Sequence, residues 1–254
     1  MNAEGKSNPF AWLAGPRPLF LHNLRIPPGL GVLVLAPHPD DFDAVGITMR
    51  RLQANGNPIN VVVVSSGGAG VEDGFCRGSP TVASKRAIRV AEQKASCAFF
   101  GLPEARLAFL TLQEDAAGNL VESPANFEIV RDRFQAIDPD LVFLPSGNDH
   151  NNDHRQVYAM YARLADRAGR PLIGFLNEDP KTLTLRRDLY TIFGPQEAAW
   201  KAELLRCHRS QDERNRHSRG HGFDERILAV NRRTAQLAGL PEEYAEAFEL
   251  EVRE

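Results

Sequence analysis

The sequence predicts an α/β protein with a Rossmann-like, doubly wound, mainly parallel sheet and helices on both faces of that sheet. Two observations support this prediction. From residue 31 onward, short apolar runs of strand length alternate with stretches of helical periodicity, which is the pattern of consecutive βαβ units. Polar clusters also follow two of the strand-like runs directly, at the strand ends where ligands bind in such sheets.

The first half of the chain contains three predicted strands and two predicted helices. Continuous apolar runs predict strands that are buried on both faces, because such strands lack polar alternation. The first predicted helix ends at Asn55-Gly56, and the second begins with Ser84 as its N-cap and ends before Gly101. The predicted elements are strands at 31–36, 59–65 and 107–112, and helices at 43–55 and 84–100.

The second half continues the alternation. Phe127, Val130 and Phe134 recur at helical spacing, and the tail from Glu197 to Glu254 has a mainly helical pattern. No composition shift or long linker divides the chain, so we expect a single domain over residues 1–254, with 1–30 as an N-terminal extension. The predicted elements are helices at 126–137 and 154–167, and strands at 141–144 and 171–176.

Composition excludes several classes of protein. The 30 basic and 33 acidic residues give a net charge of −3, whereas a general nucleic-acid binder needs a basic excess. The three cysteines cannot all pair, which argues against a disulfide scaffold and favours a reducing compartment. The polar start, Met1–Ser7, and the short aliphatic runs predict neither a signal peptide nor a transmembrane segment. We therefore expect a cytoplasmic protein.

The first polar cluster reads Ala36-Pro-His-Pro-Asp-Asp-Phe-Asp43 and follows the first predicted strand. The two prolines favour extended backbone around His38. His38 and Asp41 are then close enough to share one cation, and zinc takes both ligand types. Asp40 would be free to remove a proton from a metal-activated water. Alternatively, the motif is a helix start in which Asp40 or Asp41 caps backbone amides.

The second polar cluster, residues 145–155, follows a later predicted strand. His154 is the natural third metal ligand, and His150, Asn151 and Asp153 surround it with hydrogen-bonding groups. Alone, this segment could be a solvated polar loop. Two histidine–aspartate clusters at two strand ends together predict a mononuclear metal site.

These residues resemble the PIG-L/LmbE-like de-N-acetylases, metal-dependent hydrolases of N-acetylated sugars and sugar conjugates. The resemblance rests on His38-Pro-Asp-Asp41 and Asp153-His154-Arg155. It extends to Arg89-x-x-Glu92 and to two C-terminal segments, Trp200–Gln211 and Tyr244–Phe248. It spans residues 31 to 250, and the first motif is the most specific.

The resemblance implies that His38, Asp41 and His154 bind Zn²⁺, with Fe²⁺ or another divalent metal as alternatives, and that Asp40 is the general base. The implied reaction removes an N-acetyl group from an amino sugar or sugar conjugate, a small-molecule partner. It yields acetate and a free amine. Self-association into a homo-oligomer is compatible with the resemblance, but one sequence shows no interface.

The chain departs from the family pattern at two points. Many relatives carry Glu after the Asp pair, whereas this chain has Phe42 and then Asp43, which could take over the supporting role. Where the family often has a histidine that stabilises the oxyanion, this chain has Asn151, and His150 precedes it. An amide can donate a hydrogen bond but cannot supply a proton. Either Asn151 performs the hydrogen-bonding part alone, or His150 takes its place; the sequence leaves both open.

The sequence offers three alternatives to the deacetylase. A nucleotide-dependent Rossmann enzyme would need a Gly-x-Gly-x-x-Gly turn, which this chain lacks after its first strand. A catalytically impaired binding protein of the same fold is kept open by Asn151. An amidase that acts on a larger N-acyl sugar conjugate also stays open.

Other charged and aromatic residues have two interpretations each. Arg89 is either a substrate-binding residue or one half of an intrahelical pair with Glu92. The segment 206–226 is either a lid over an anionic substrate or, as its acidic residues favour, a solvated charged stretch. Trp200 and Phe248 are expected in the core rather than as platforms for a sugar.

Overall fold

A single eight-stranded sheet organises the molecule. The computed structural model describes residues 10–253, so the polar start at Met1–Ser7 and the last residue, Glu254, lie outside the described residues. The strand order in the sheet is β1-β7-β8-β6-β5-β2-β3-β4. The strands are β1 Leu19–Phe20, β2 Val32–Ala36, β3 Ile59–Val63, β4 Leu107–Phe109, β5 Leu141–Pro145, β6 Leu172–Asn177, β7 Leu189–Phe193 and β8 Tyr244–Arg253.

Helices cover both faces of the sheet, as the sequence predicts for a doubly wound fold. They are α1 Asp41–Ala44, α2 Gly46–Ala54, α3 Val82–Phe100, α4 Pro124–Ile137, α5 Asn152–Ala165, α6 Pro195–Arg206, α7 Arg209–Arg219 and α8 Phe223–Leu237. None of these helices has the length and apolar character that crossing a bilayer requires.

The pairing of the strands confirms a mixed, mostly parallel sheet. Strand β2 lies between β3 and β5 and is parallel to both. From β2 the chain continues to β3 and β4 on one side of β2, and then returns to form β5 on the other side. The strand order therefore reverses between β2 and β5, at their carboxyl ends. Ligands bind at such points in open α/β sheets. The two polar clusters of the sequence follow these two strands.

Alternate residues of the central strands enter two separate cores. In β2, Val32, Val34 and Ala36 pack on one face, whereas Leu33 and Leu35 pack on the other. All five side chains are almost completely buried. This explains the continuous apolar run in the sequence, because each face of a parallel sheet is covered by helices.

Some predicted boundaries are wrong. The helix expected over 43–55 is two helices, α1 and α2, separated at Val45. Helix α3 begins two residues before Ser84, and its N-cap is Thr81. Ser84 instead completes a capping box, in which its hydroxyl accepts from Thr81 N–H and its own N–H donates to the Thr81 hydroxyl.

The tail is less helical than its sequence pattern indicates. After helices α6–α8 it ends in β8, a ten-residue strand that runs antiparallel to both β6 and β7. Its first half reads Tyr244-Ala-Glu-Ala-Phe248. Alanine and glutamate both favour a helix by propensity. Strand β7, which precedes the tail, and the short β1 from the N-terminal extension were also missed. Residues Phe10 and Leu13 of that extension are buried in the same core.

A buried ion pair joins β8 to the helices. Lys201 on α6 is fully buried, and its Nζ donates to Glu246 Oε1 at 2.7 Å, Asn231 Oδ1 at 2.9 Å and Ala44 O at 2.6 Å. Glu246 also accepts backbone N–H bonds from Ile47 and Thr48 at the start of α2. Burial lowers the pKa of Lys201, although the neighbouring carboxylate of Glu246 opposes this effect. All three ammonium donors are therefore used within the fold.

Lys201→Met should lower the free energy of unfolding by about 3–5 kcal/mol, because it leaves the buried Glu246 carboxylate without its cation. Denaturant unfolding followed by circular dichroism measures this change. The control is Lys94→Met, which breaks an exposed pair with Glu104 and should have a much smaller effect. Equal losses from the two variants would show that the buried pair is not a special requirement of the fold.

Candidate active site

The two polar clusters meet in one cavity. Because β2 and β5 are neighbours in register, the turns that follow them face each other. The cavity has a volume of about 260 Å³, near the lower end of ligand sites, which span roughly 300–1,000 Å³. His38, Asp40 and Asp41 line it from the first cluster, and Asn151, Asp153 and His154 line it from the second.

The turn after β2 is held in an unusual backbone conformation. Asp40 has φ 114° and ψ −21°, a region that residues with a side chain rarely adopt and that costs on the order of 1–3 kcal/mol. Two side chains of α3 hold it in place. Arg89 Nη2 donates to Asp40 Oδ2 at 2.8 Å and to the carbonyl oxygen of Pro39, and Gln93 Oε1 accepts from Asp40 N–H at 3.0 Å. Asp40 therefore presents its carboxylate from a fixed position.

The loop after β3 must approach this turn closely. Gly67 has φ +61°, and a Cβ atom at this position would lie 2.9 Å from Pro39 Cδ and 3.3 Å from Arg89 Nε. Any larger residue would push against the turn and against the guanidinium that holds Asp40. Glycine here satisfies both the positive φ and the close contact.

Three side chains are spaced to hold one cation. His38 Nδ1 lies 3.5 Å from Asp41 Oδ2, and His154 Nε2 lies 3.7 Å from Asp41 Oδ1. One potential ligand atom from each residue lies within 4.8 Å of the other two. Ligands at about 2.0–2.1 Å from a tetrahedral zinc ion are separated by roughly 3.4 Å, so the observed spacing fits. His154 and Asp41 are buried, and His38 is mostly so.

Two carboxylates orient the two imidazole rings. Asp153 Oδ2 lies 2.9 Å from His38 Nε2, and its other oxygen accepts from Leu120 N–H. Asp149 Oδ2 lies 3.3 Å from His154 Nδ1, near enough for an ion pair although not aligned for a hydrogen bond. With a proton on each of these nitrogens, the other nitrogen of each ring faces Asp41 with a free lone pair. This is the arrangement of metal-binding histidines.

The pKa values reflect the crowding of acids around the histidines. Burial alone lowers the pKa of His38, but hydrogen bonds to Asp153 and Asp41 outweigh burial and raise it to about 10. Burial raises the pKa of Asp41, but the charges of His154 and His38 outweigh that effect and lower it to about 2. The carboxylates thus favour positive charge in the space between them, which protons or a metal ion can supply.

A second group of potential ligands shares His154. Asp149, His154 and Asp179 also bring ligand atoms within 4.8 Å of one another. Asp149, however, accepts N–H from Asn151 at 2.6 Å and faces the outer nitrogen of His154. Burial raises the pKa of Asp179, which disfavours its charged form. The group of His38, Asp41 and His154 is therefore the better donor set.

Asp43 lies beside this site rather than in it. Its Oδ2 is 2.6 Å from His208 Nε2 and accepts hydrogen bonds from Gln93 and Ser96 on α3. Both Asp43 and His208 are completely buried. The hydrogen bonds of Asp43 therefore connect α1 to α3 and to the start of α7. Asp153, in contrast, lines the cavity and contacts His38, whereas the sequence suggested that it would lie around His154.

Asn151 and His150 are placed differently. Asn151 lines the cavity and is the N-cap of α5, where its Oδ1 accepts from Asp153 N–H at 3.0 Å. That bond directs its Nδ2 away from the helix, and this group has no hydrogen-bond partner among the described residues. His150 is exposed and is not among the residues that line the cavity.

Arg89 forms the intrahelical pair and also contacts the strained turn. It is only 2% exposed, and its Nη1 lies 3.3 Å from Glu92 Oε2. Glu92 in turn accepts from the N–H and the hydroxyl of Ser210. Arg89 lines the cavity, but its guanidinium is directed at Asp40 and Pro39.

Sequence reasoning missed three contributors to the site. Asp149 belongs to the second polar cluster but was not singled out there as a candidate residue. Gln93 gave no local signal, because its partners lie 50 or more residues earlier. Arginines of α7 and α8 line the cavity, although the sequence favoured a solvated charged stretch for this segment. Composition does not show which face of a helix meets a cavity.

Solved structures share this fold. The N,N'-diacetylchitobiose deacetylase from Pyrococcus horikoshii is 18% identical, with a TM-score of 0.69 over 87% of this chain and 83% of that chain. A 4-carboxy-2-hydroxymuconate hydratase from Pseudomonas putida KT2440 is 17% identical, with a TM-score of 0.65 over 87% and 95%. A zinc-inhibited teicoplanin deacetylase is 16% identical, with a TM-score of 0.64 over 87% and 98%. These similarities confirm the predicted fold.

The family assignment comes from the sequence itself. No curated protein matches the chain. The family model described as PIG-L, GlcNAc-PI de-N-acetylase, matches residues 33–165, which is more than half of the chain and includes both polar clusters. The resemblance seen in the sequence is therefore confirmed, and the chain belongs to the PIG-L family.

Proposed function

We propose that the protein is a metal-dependent hydrolase that removes an N-acetyl group from an amino sugar or sugar conjugate. The observation that carries this proposal is the donor set of His38, Asp41 and His154, spaced for one ion and next to a carboxylate at Asp40 that the set does not need. Family membership and the deacetylases among the structural neighbours support the reaction class. Those neighbours act on diacetylchitobiose and teicoplanin, which supports an acetylated sugar as the substrate class.

The proposed metal is a divalent ion, with Zn²⁺ as the first choice for two imidazoles and one carboxylate. Fe²⁺ and other divalent ions are kept as alternatives. The reason is that the structurally similar teicoplanin deacetylase has a zinc-inhibited form. When bound, the ion would supply Lewis-acid polarisation of the acyl carbonyl and of a water molecule. Asp153 and Asp149 would keep the two imidazoles in the required tautomer.

Asp40 is the proposed general base. Its Oδ2 is held by Arg89, which leaves Oδ1 free to accept a proton from the attacking water. The same carboxyl group then delivers this proton to the departing amine, so that an acid and a free amine are the products. Arg89 acts in this scheme through Asp40, as a positioning residue that fixes the base within reach of the donor set.

Asn151 is the proposed hydrogen-bond donor to the tetrahedral oxyanion. Its Oδ1 is occupied as the cap of α5, so its Nδ2 is the group that can be directed into the cavity. An amide donor stabilises developing negative charge without transferring a proton. This assigns proton transfer to Asp40 alone and gives His150, outside the cavity lining, no part in the reaction.

Removing either histidine of the donor set should abolish metal binding. The purified chain should retain about one divalent ion per molecule, measured by mass spectrometry of the eluted metal. His38→Ala and His154→Ala should lose it, whereas His22→Ala, at an exposed position outside any group of potential ligands, should keep it. Full metal content in both ligand variants would contradict the donor set.

Asp40→Asn should retain the metal and reduce kcat for acetate release about 10²- to 10⁴-fold, because the amide cannot accept the water proton. The assay measures free amine from an N-acetylglucosamine-type substrate, and metal content is determined on the same sample. Undiminished turnover by the variant would rule out Asp40 as the base.

Asn151→Asp separates the two roles of this residue. The carboxylate can still cap α5, but it has no donor for the oxyanion, so kcat should fall roughly 10²- to 10³-fold with little loss of stability. Thermal unfolding monitors the cap. His150→Ala is the comparison, and a larger loss of kcat in that variant would transfer the donor role to the histidine.

A further inference from the structure

One side of the cavity carries cationic side chains that the proposed reaction does not use. Helices α7 and α8 contribute Arg214, Arg219 and Arg226, and the connection from β6 to β7 contributes Lys181. Of the carboxylates that line the same cavity, Asp41 and Asp153 lie against the histidines of the donor set, whereas Asp40 and Asp179 are near enough to Arg226 to affect its pKa. The cavity therefore has an acidic part that suits a cation and a basic part that suits an anion.

The basic side chains have no carboxylate partners. Among the described residues, Arg214, Arg226 and Lys181 form no ion pair, and Arg219 donates only to the hydroxyl of its neighbour, Ser218. Other arginines of α7 and α8 do form such pairs, for example Arg216 with Asp212. A ligand that binds these cavity-lining side chains would therefore have no paired carboxylate to displace.

Arg226 lies close enough to Arg214 and Arg219 for their charges to affect it. The pKa of Arg226 is lowered, first by burial and then by the charges of Arg219 and Arg214, while Asp179 and Asp40 partly oppose the shift. Arg226 is half-buried, whereas Arg214 and Arg219 are exposed. Like charges near a half-buried cation cost free energy unless an anion lies between them. The carboxylates of Asp40 and Asp179 already have other partners. Asp40 pairs with Arg89, and Asp179 accepts a hydrogen bond from the N–H of Lys181.

The backbone around Arg214 leaves room for its guanidinium. A Cβ atom on Gly70 would lie 3.2 Å from Arg214 Nη1, so a side chain there would crowd this group. Gln211, one turn earlier on α7, donates to the carbonyl oxygen of Gly70 at 3.1 Å. This bond fixes the loop after β3 against the helix that carries Arg214.

We propose that Arg214, Arg219 and Arg226, here called the arginine wall, bind an anionic group that the substrate carries away from its acyl group. The group is a phosphate or a carboxylate, which guanidinium donors bind with paired, charge-assisted hydrogen bonds. This inference rests on the proposed function and narrows it, since the substrate becomes an acidic conjugate of an N-acetylated amino sugar. It also gives the segment 206–226 a part in binding.

The experiment compares three sugars that differ only at the anomeric substituent. They are methyl N-acetyl-α-glucosaminide, its carboxymethyl analogue and N-acetyl-α-glucosamine 1-phosphate. Calorimetric titration of the metal-loaded protein should show that at least one anionic sugar binds about tenfold or more tightly than the neutral one, as expected for charge-assisted bonds. The preference should shrink as salt is added. The two anionic probes distinguish phosphate from carboxylate.

The variants test whether the arginine wall causes this preference. Arg226→Gln and Arg214→Gln should each reduce the ratio of anionic to neutral affinity roughly tenfold. Arg209→Gln removes the same charge from an exposed position of α7 outside the cavity lining and should leave the ratio unchanged. Equal affinity for all three sugars, or a ratio that survives both wall substitutions, would overturn the proposal.

Acetate release, measured on the same samples, keeps the two proposals apart. Anion-dependent binding without acetate release would contradict the deacetylase and leave the arginine wall standing as a binding site. Acetate release together with equal affinity for neutral and anionic sugars would support the deacetylase and overturn the arginine wall.

Discussion

The position of Asp40 depends on a strained turn that other parts of the chain hold in place. Its positive φ is unfavourable for a residue with a side chain, and the turn persists because Arg89 and Gln93 bind its carbonyl, carboxylate and amide groups. Helix α3 is in turn fixed by its capping box and by the bonds between Glu92 and Ser210. In the proposed role of a general base, Asp40 must be held accurately, since a small displacement reduces catalysis strongly. The geometry of the site is thus a property of the packing between α3 and the end of β2.

The same principle of compensated charge organises the rest of the site. Each carboxylate around the histidines has a partner: Asp153 lies against His38, Asp149 against His154, and Asp43 against His208. Buried carboxylates are costly unless they are paired, so these pairs both stabilise the fold and orient the imidazoles. The arginine wall is the exception, because its cations face the cavity without partners among the described residues. That difference is why the wall points to a ligand and the paired groups do not.

The sequence predicted the features that arise from local pattern. The buried strands were recognisable as apolar runs, and the meeting of the two polar clusters followed from the common edge of parallel strands. Features that depend on distant partners were not recognisable. Strand β8 contains Glu246, whose burial is possible only because Lys201, 45 residues earlier, reaches it. Gln93 and the arginine wall likewise acquire their roles from the direction in which a helix faces its neighbours, which spacing along the chain does not determine.

The central claim is that one divalent ion is held by the donor set of His38, Asp41 and His154. Anomalous scattering at the zinc edge, from crystals of the zinc-loaded protein, locates that ion directly. The account predicts a single strong peak about 2.0–2.2 Å from His38 Nδ1, an Asp41 carboxylate oxygen and His154 Nε2. A peak on the other side of His154, between Asp149 and Asp179, or no peak at the donor set, would contradict the account.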